Sequence, residues 1–139
     1  MMNRLFLACL ILLGTLMACQ SPESSSTTSS TEATAPVGIQ EVDVATFKAK
    51  MKEDNVVILD VRTPAETAQG KIEGAIELDA LAQDFREQVA ALDKDKTYLV
   101  YCKVGSRSAN ACRVMEKAGI PRLYNLKGGY TAWTAAGEQ

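Results

Sequence analysis

The stretch that decides the fold is Tyr98-Leu99-Val100-Tyr101-Cys102-Lys103-Val104-Gly105-Ser106-Arg107-Ser108. Its first four residues are apolar or aromatic and favour a β-strand, and a helical pattern begins near Ser108. The segment therefore predicts a strand, a short loop and a helix, with Cys102 at the carboxyl end of the strand. Open α/β sheets place their ligand sites at this edge.

The loop after Cys102 has the composition of an anion-binding site. Gly105 permits a positive φ, which lets successive backbone N–H groups converge on one point. These groups, the helix N-terminus and the charges of Lys103 and Arg107 would hold the pKa of Cys102 below its free value of about 8.5. We therefore predict that Cys102 is a nucleophile. The alternative is a buried structural cysteine that ends a strand.

Outside this stretch, short β-prone runs alternate with amphipathic helical segments. This alternation is typical of a parallel sheet covered by helices, so the predicted fold class is α/β. The predicted strands are 39–42, 56–61, 75–78, 97–102 and 122–125. The second of them begins with a continuously apolar run, as a strand buried on both faces does.

Three helices are predicted between the strands. Asp43 is the expected N-cap of the first, and Gly119 followed by Pro121 ends the third. Their predicted buried faces comprise Val44, Phe47 and Met51 in the first, Leu81, Phe85, Val89 and Leu92 in the second, and Ala109, Cys112, Met115 and Ala118 in the third.

The N-terminus has the pattern of an export signal. Arg4 precedes an apolar run from Leu5 to Ala18, which is too short to span a membrane but suits a signal-peptide core. The residues Leu16-Met17-Ala18-Cys19 resemble the lipobox of bacterial lipoproteins, in which the cysteine carries the lipid. We expect a lipoprotein signal peptide over residues 1–18 and lipidation of Cys19. An ordinary secretory signal and an uncleaved anchor are the alternatives.

The next segment cannot form a core. Residues 20–36 are mainly Ser, Thr, Pro and Ala with no large apolar residue. We expect residues 19–36 to tether a domain of residues 37–139, with a span of roughly 23 Å if the tether is a flexible coil. Without residues 1–18 the chain has 14 Lys+Arg and 17 Asp+Glu, a net charge of −3. Nothing in it resembles a nucleic-acid-binding surface, so no nucleic-acid partner is expected.

The residue types that are missing narrow the chemistry. The chain has no histidine, which excludes Ser-His and Cys-His hydrolase mechanisms and removes the commonest metal ligand. Of the four cysteines, only Cys102 and Cys112 lie in the predicted domain, so neither a zinc site nor any other metal or cofactor is expected. We expect Cys112 to be a core residue, with a redox partnership to Cys102 as the alternative.

Four motifs together resemble the landmarks of a single-domain rhodanese. They are Asp60-Val61-Arg62-Thr63-Pro64-Ala65-Glu66, Gly70-Lys71-Ile72-Glu73-Gly74-Ala75-Ile76, Cys102-Lys103-Val104-Gly105-Ser106-Arg107-Ser108, and Leu126-Lys127-Gly128-Gly129-Tyr130-Thr131-Ala132-Trp133. One such motif would be a weak signal, whereas four in the same order and spacing are specific. The resemblance covers nearly all of residues 38–137.

The resemblance implies a three-layer fold with a five-stranded parallel sheet flanked by helices. It also implies a sulfurtransferase in which Cys102 takes a sulfane sulfur as a persulfide and passes it on. Lys103, Val104, Gly105, Ser106, Arg107 and Ser108 match the loop that binds the donor, and Arg107 matches its anion-binding arginine. The implied partners are a small anionic sulfur donor such as thiosulfate, or a persulfide donor, and a cyanide or thiol acceptor, including a protein thiol.

Three residues depart from the family pattern, and two other functions remain open. Lys71 stands where His is frequent, Thr67 where an aromatic residue is frequent, and Lys103 where Arg is frequent. Lys103 keeps the charge but lacks the planar fork of arginine. A non-catalytic binding or regulatory module is one alternative function. A phosphatase or arsenate reductase is another, although their loops in related folds are one residue longer.

The other residues that these motifs single out have structural interpretations. Asp60 and Arg62 fall at the carboxyl end of the second predicted strand, at the same sheet edge as Cys102, and we favour a structural ion pair or loop-ordering hydrogen bonds for them over catalysis. Tyr130 and Trp133 are expected to seal the core or the rim of the site. Gly128-Gly129 predicts a tight turn before the last helix.

The predicted location is the cell envelope. Attachment would be through the lipid anchor only, with the domain facing the periplasm. Gln20 after the lipidated cysteine resembles the pattern of lipoproteins released to the outer membrane of a bacterium with two membranes.

Overall fold

The computed structural model describes residues 36–139. The predicted signal peptide, the predicted lipidation site Cys19 and residues 20–35 lie outside the described residues. Within residues 36–139, no helix has both the length and the apolar character needed to cross a membrane. The elements are β1 (Gly38–Val42), α1 (Val44–Lys50), β2 (Val56–Asp60), α2 (Pro64–Thr67), β3 (Ile76–Glu77), α3 (Phe85–Ala90), β4 (Thr97–Tyr101), α4 (Ser106–Lys117), β5 (Arg122–Leu126) and α5 (Gly129–Ala135).

The five strands form one parallel sheet with the order β1-β5-β4-β2-β3. Strand β4 is central and every one of its residues is buried. Successive side chains of a strand point to opposite faces, so β4 supplies both layers of the core. Tyr98 and Val100 pack with α3 and α4, whereas Leu99 and Tyr101 pack with α1 and α5. The predicted α/β fold of three layers is confirmed.

Two helix ends follow the chemistry predicted for them. The side chain of Asp43 caps α1 by accepting a hydrogen bond from the backbone N–H of Thr46 at 2.8 Å. Beyond α4, Gly119 has φ +90°, and the N–H groups of Gly119 and Ile120 donate to the carbonyls of Glu116 and Met115. This is a Schellman motif, which satisfies carbonyls that a helix end leaves without partners.

The prediction that Leu81 lies on the buried face of a helix is wrong. Helix α3 begins only at Phe85, and Leu81 is 66% exposed. The carboxylate of Asp79 accepts a hydrogen bond from the backbone N–H of Leu81, which holds the chain in a turn ahead of the helix. Phe85 and Val89 are buried, and Leu92 packs against them, as predicted.

The buried face of α4 also differs from the prediction. The fully buried residues are Ser108, Ala111, Cys112 and Met115, whereas Ala109 and Ala118 are only half-buried. Cys112 and Met115 are buried as predicted, whereas Ser108 and Ala111 take the places expected of Ala109 and Ala118. The helix starts at Ser106 and not near Ser108. This difference places the Ser108 hydroxyl inside the protein.

Helix α2 was not predicted. It is a single turn that begins at a capping box, in which Glu66 accepts hydrogen bonds from the backbone N–H and the hydroxyl of Thr63. Thr67 and Lys71, where the sequence departs from the family pattern, both bond to Glu77, at 2.7 Å and 2.6 Å. Their contacts tie α2 to the edge strand β3.

Candidate active site

Cys102 directly follows strand β4 and lies three residues before the N-cap of α4. Its side chain is 1% exposed and belongs to the core layer that contains α4. Its sulfur accepts a hydrogen bond from the backbone N–H of Gly105 at 3.1 Å and one from the hydroxyl of Ser108 at 3.4 Å. The loop thus curls around the sulfur and presents donors to it.

These donors favour the ionised form of the sulfur. Burial opposes ionisation and would raise the pKa of Cys102. The hydrogen bonds from the Ser108 hydroxyl and from the backbone N–H groups of Ser108, Val104 and Gly105 outweigh it, so the pKa of Cys102 lies below its ordinary value. A thiolate is the reactive form of cysteine.

The Ser108 hydroxyl has a hydrogen-bond acceptor whether Cys102 is a thiol or a thiolate. Its hydroxyl lies 3.0 Å from the carbonyl oxygen of Gly105 as well as 3.4 Å from the sulfur of Cys102. A hydroxyl has one proton and can donate to one of these acceptors at a time. It can turn to the sulfur when Cys102 is a thiolate, and to the Gly105 carbonyl when Cys102 is a thiol.

The peptide of Gly105 is held in place from several directions. Its carbonyl accepts hydrogen bonds from the backbone N–H of Ala109 at 3.0 Å and from the side-chain amide of Asn125 at 3.2 Å. Gly105 has φ +96°, and a Cβ there would lie 3.1 Å from backbone atoms of Leu126 and Gly128. Asn125, on β5, is a site residue that the sequence analysis missed.

Helix α5 anchors the other side of the loop. The N–H groups of Tyr130 and Thr131 donate to the carbonyls of Cys102 and Lys103, at 2.7 Å and 3.0 Å. This approach requires Gly129, because a Cβ there would lie 2.7 Å and 2.8 Å from the carbonyl carbon and oxygen of Lys103. The Gly128-Gly129 turn therefore serves the loop as well as the start of the helix.

The hydrogen bonds found for the Arg107 guanidinium go to Glu66 and not to the sulfur of Cys102. The guanidinium forms a two-pronged ion pair with Glu66, with Nη1–Oε2 and Nη2–Oε1 distances of 2.7 Å and 3.2 Å. The hydrogen bonds from Arg107 and the contacts with Thr63 lower the pKa of Glu66 to about 2. The hydrogen bonds to Glu66 in turn raise the pKa of Arg107. Glu66 was not predicted to belong to the site.

Asp60 and Arg62 form the ion pair that the sequence favoured. Both are buried, and the Arg62 guanidinium meets the Asp60 carboxylate at 2.6 Å. It also donates to the carbonyl of Gly70 at 2.8 Å and lies over the rings of Tyr101 and Tyr130. These contacts fold the 60–70 segment onto the sheet edge; the hydrogen bonds found for Asp60 and Arg62 do not involve Cys102.

The remaining loop residues face outward. Lys103, Val104 and Ser106 are exposed. Lys103 contributes to a cleft of about 210 Å³ that also includes Glu66, and Arg107 contributes to a second cleft of about 320 Å³ beside α4. Gly105 and Ser108 thus contact the sulfur of Cys102, whereas the side chains of Lys103 and Arg107 line two separate clefts.

The second cysteine of the domain lies in the core. Cys112 is fully buried, and burial raises its pKa to about 12. Cys102 and Cys112 are both free thiols. Cys112 is therefore a core residue, as expected from the sequence.

Trp133 is buried and Tyr130 borders the smaller cleft, so these two aromatic residues divide the expected roles of core and rim. Trp133 packs edge-on against Phe47, while the ring of Tyr130 stacks on that of Tyr101.

Comparisons with known proteins agree with this architecture. Residues 43–136 match the family model of the rhodanese-like domain. A sulfurtransferase from Allochromatium vinosum is 34% identical over 100 residues, which cover 71% of this chain and 92% of that protein. The crystal structure of a rhodanese-related protein from Thermoplasma volcanium superposes with a TM-score of 0.64 at 29% identity, covering 72% of this chain and 95% of the other. A rhodanese-like domain protein from Staphylococcus aureus gives 0.60 at 29% identity, with 68% and 90% covered.

Proposed function

Because the chain belongs to the rhodanese-like family, we propose that it is a sulfurtransferase that carries sulfane sulfur as a persulfide on Cys102. The observation that supports this function most directly is the position of the sulfur. It lies against the N–H of Gly105 and the hydroxyl of Ser108, in a loop that lowers the pKa of its thiol. Such a loop stabilises an anionic sulfur without a neighbouring base.

The first half of the proposed reaction loads the cysteine. The Cys102 thiolate attacks the outer sulfur of thiosulfate, an S–S bond forms, the S–S bond of the donor breaks, and sulfite leaves with the bonding electron pair. The product is a persulfide anion, whose charge the loop N–H groups can hold as they hold the thiolate. A persulfide donor reacts in the same way and leaves as a thiolate.

The second half unloads the sulfur. Cyanide or an acceptor thiolate attacks the outer sulfur of the persulfide, and the S–S bond breaks toward Cys102. Thiocyanate or a new persulfide leaves, and the Cys102 thiolate is regenerated. Neither half requires transfer of a proton at the reacting sulfur, which is consistent with a chain that has no histidine.

The spacing of the loop favours sulfur transfer over phosphate chemistry. Four residues separate Cys102 from Arg107, one fewer than in the loops of related phosphatases and arsenate reductases. In addition, the guanidinium that would clamp a tetrahedral oxyanion is paired with Glu66.

One observation favours a second candidate function. The sulfur of Cys102 is almost fully buried, so a donor reaches it only if the exposed Lys103-Val104 tip of the loop or the flanking side chains move. A rhodanese-like module that binds a partner without turnover would not need this movement.

Thiocyanate formation from thiosulfate and cyanide tests the proposal. The full chain is expected to form thiocyanate, Cys102→Ser to form none, and Cys112→Ser to retain the activity, because Cys112 is buried and its pKa is high. Hydrolysis of an aryl phosphate by the wild type but not by Cys102→Ser would instead support a phosphatase. Absence of turnover with thiosulfate and with a persulfide donor would support the binding module.

A further inference from the structure

The Glu66–Arg107 ion pair neutralises the cationic side chain at the second residue of α4, five residues after Cys102. In the part of the chain that the structure describes, both hydrogen bonds found for the Arg107 guanidinium go to Glu66. An incoming anion therefore does not meet a free guanidinium. It meets a pair with no net charge.

Glu66 is fixed in place independently of Arg107. Its Oε2 accepts hydrogen bonds from the N–H of Thr63 at 3.0 Å and from the hydroxyl of Thr63 at 2.9 Å. These bonds close the capping box of α2, whose first residue is Pro64. The carboxylate is thus held at the mouth of the loop before it pairs, and little side-chain freedom is lost when Arg107 binds to it.

The two side chains of the pair line different clefts. Glu66 contributes to the smaller cleft, beside Lys103, and Arg107 contributes to the larger one, beside α4. Both side chains are about three-quarters covered. The ion pair therefore contributes one side chain to each of the two clefts.

We propose that Glu66 sets the charge selectivity of the sulfur donor by holding Arg107 in the ion pair. Glu66 touches neither the sulfur nor the reacting atoms, so it is a positioning residue and not a catalytic one. A doubly charged donor such as thiosulfate must compete with the carboxylate for the guanidinium, whereas a donor with less charge depends on it less. This inference rests on the proposed function, since it concerns the donors of that reaction.

Two donors that differ by one charge test the selectivity. Thiosulfate is a dianion and loses sulfite on transfer, whereas methanethiosulfonate is a monoanion and loses methanesulfinate. Glu66→Gln frees Arg107 and retains an oxygen that can accept the Thr63 N–H of the capping box. We expect KM for thiosulfate to fall about five-fold and KM for methanethiosulfonate to fall by less than about 2.5-fold. We expect kcat to change little for both donors.

Glu77→Gln is the matched control. Glu77 bonds to Thr67 at the end of α2 and to Lys71, so its substitution removes the same charge from the neighbouring strand without touching Arg107. We expect both KM values of this variant to stay near those of the wild type. Equal KM ratios of the two donors in Glu66→Gln and in the wild type would overturn the inference.

A second measurement does not depend on sulfur transfer. The rates at which iodoacetate, an anion, and iodoacetamide, a neutral analogue, alkylate Cys102 are compared at neutral pH, with the labelled residue of the full chain identified by mass spectrometry of its peptides. Glu66→Gln should raise the rate with iodoacetate, divided by the rate with iodoacetamide, about five-fold. The combination of Glu66→Gln with Arg107→Met should abolish that increase.

A ratio that stays within about two-fold of the wild-type value in Glu66→Gln would contradict the inference. If the ratio rises as expected but the wild type transfers sulfur from neither donor, the charge control by Glu66 stands and the proposed sulfurtransferase function falls. The two failures are therefore distinguishable.

Discussion

Ser108 is the side chain on which the ionisation of Cys102 depends most. Its hydroxyl and backbone N–H both lower the pKa of the thiol, and the hydroxyl lies 3.4 Å from the sulfur. A hydrogen bond to a charged group is worth more than one to a neutral group, so the hydroxyl stabilises the thiolate more than the thiol.

Ser108→Ala should therefore raise the pKa of Cys102. Less thiolate is then present at a given pH, and the pH profile of Cys102 alkylation by iodoacetamide shifts to higher pH. At neutral pH we expect the rate to fall about five-fold. Ser106→Ala is the control, because Ser106 is exposed at the start of the same helix and its profile should match that of the wild type. A profile of Ser108→Ala that coincides with the wild type would contradict the assigned role.

Two residues of the site that the sequence did not predict, Asn125 and Glu66, bind residues that lie far from them in the sequence. Cys102, Gly105 and Ser108 lie in one continuous stretch, so their proximity follows from the strand-loop-helix pattern. Asn125 reaches Gly105 from 20 residues away, and Glu66 reaches Arg107 from 41 residues away. The pairing of such side chains depends on how α2 and β5 pack, which local patterns do not determine.

The contact between α5 and the Cys102 loop is the feature that links the last motif to the site. The first N–H groups of a helix have no partners within the helix, and here two of them bind loop carbonyls. Gly129, with φ +57°, makes this approach sterically feasible.

Gly129→Ala should displace the loop and destabilise the domain. The added Cβ would meet backbone atoms of Cys102 and Lys103, and alanine disfavours a positive φ, so we expect a loss of about 3 kcal/mol in the free energy of unfolding. Thiocyanate formation should fall along with it. Chemical denaturation, with activity measured on the folded fraction, separates the two effects.

Gly137→Ala is the control for this substitution. Gly137 also has a positive φ, +80°, but a Cβ there would meet nothing within 4 Å. It should lose only about 1 kcal/mol and retain full activity. Equal losses of stability in the two variants would contradict the account that Gly129 is required for the close approach of α5 to the loop.

The five strands were predictable from the sequence, whereas the short helix α2 was not. All five strands lie within about two residues of their predicted limits, because the apolar runs are clear. Helix α2 has four residues and no apolar stripe, so only its Thr63-Pro64-Ala65-Glu66 capping pattern could have revealed it. Leu81 was assigned to a helix because the carboxylate of Asp79, which holds the turn, contributes no hydrophobic signal.

For the molecule as a whole, the charge near the sulfur is arranged locally. The chain carries a net charge of −2, so general attraction does not bring an anionic donor to it. Attraction depends on the loop N–H groups, on Lys103 and on whether Glu66 holds Arg107. Donor selectivity is therefore expected to reside in a few side chains around the loop.

The location of the molecule is a prediction from its N-terminal sequence. In a bacterium with two membranes, we expect labelled palmitate to be incorporated into the wild type and the Cys9→Ala variant, and not into Cys19→Ala. Cys9 would be lost with the signal peptide, whereas Cys19 would carry the lipid. Incorporation into Cys19→Ala, or none into the wild type, would contradict the lipoprotein assignment.

The central claim is that Cys102 carries the transferred sulfur, and the mass of the intact protein tests it most directly. After incubation with thiosulfate, the wild type and Cys112→Ser should each gain the mass of one sulfur atom, cyanide should remove it with formation of thiocyanate, and Cys102→Ser should gain nothing. A sulfur gained by Cys102→Ser, or none gained by the wild type from thiosulfate or a persulfide donor, would contradict the account.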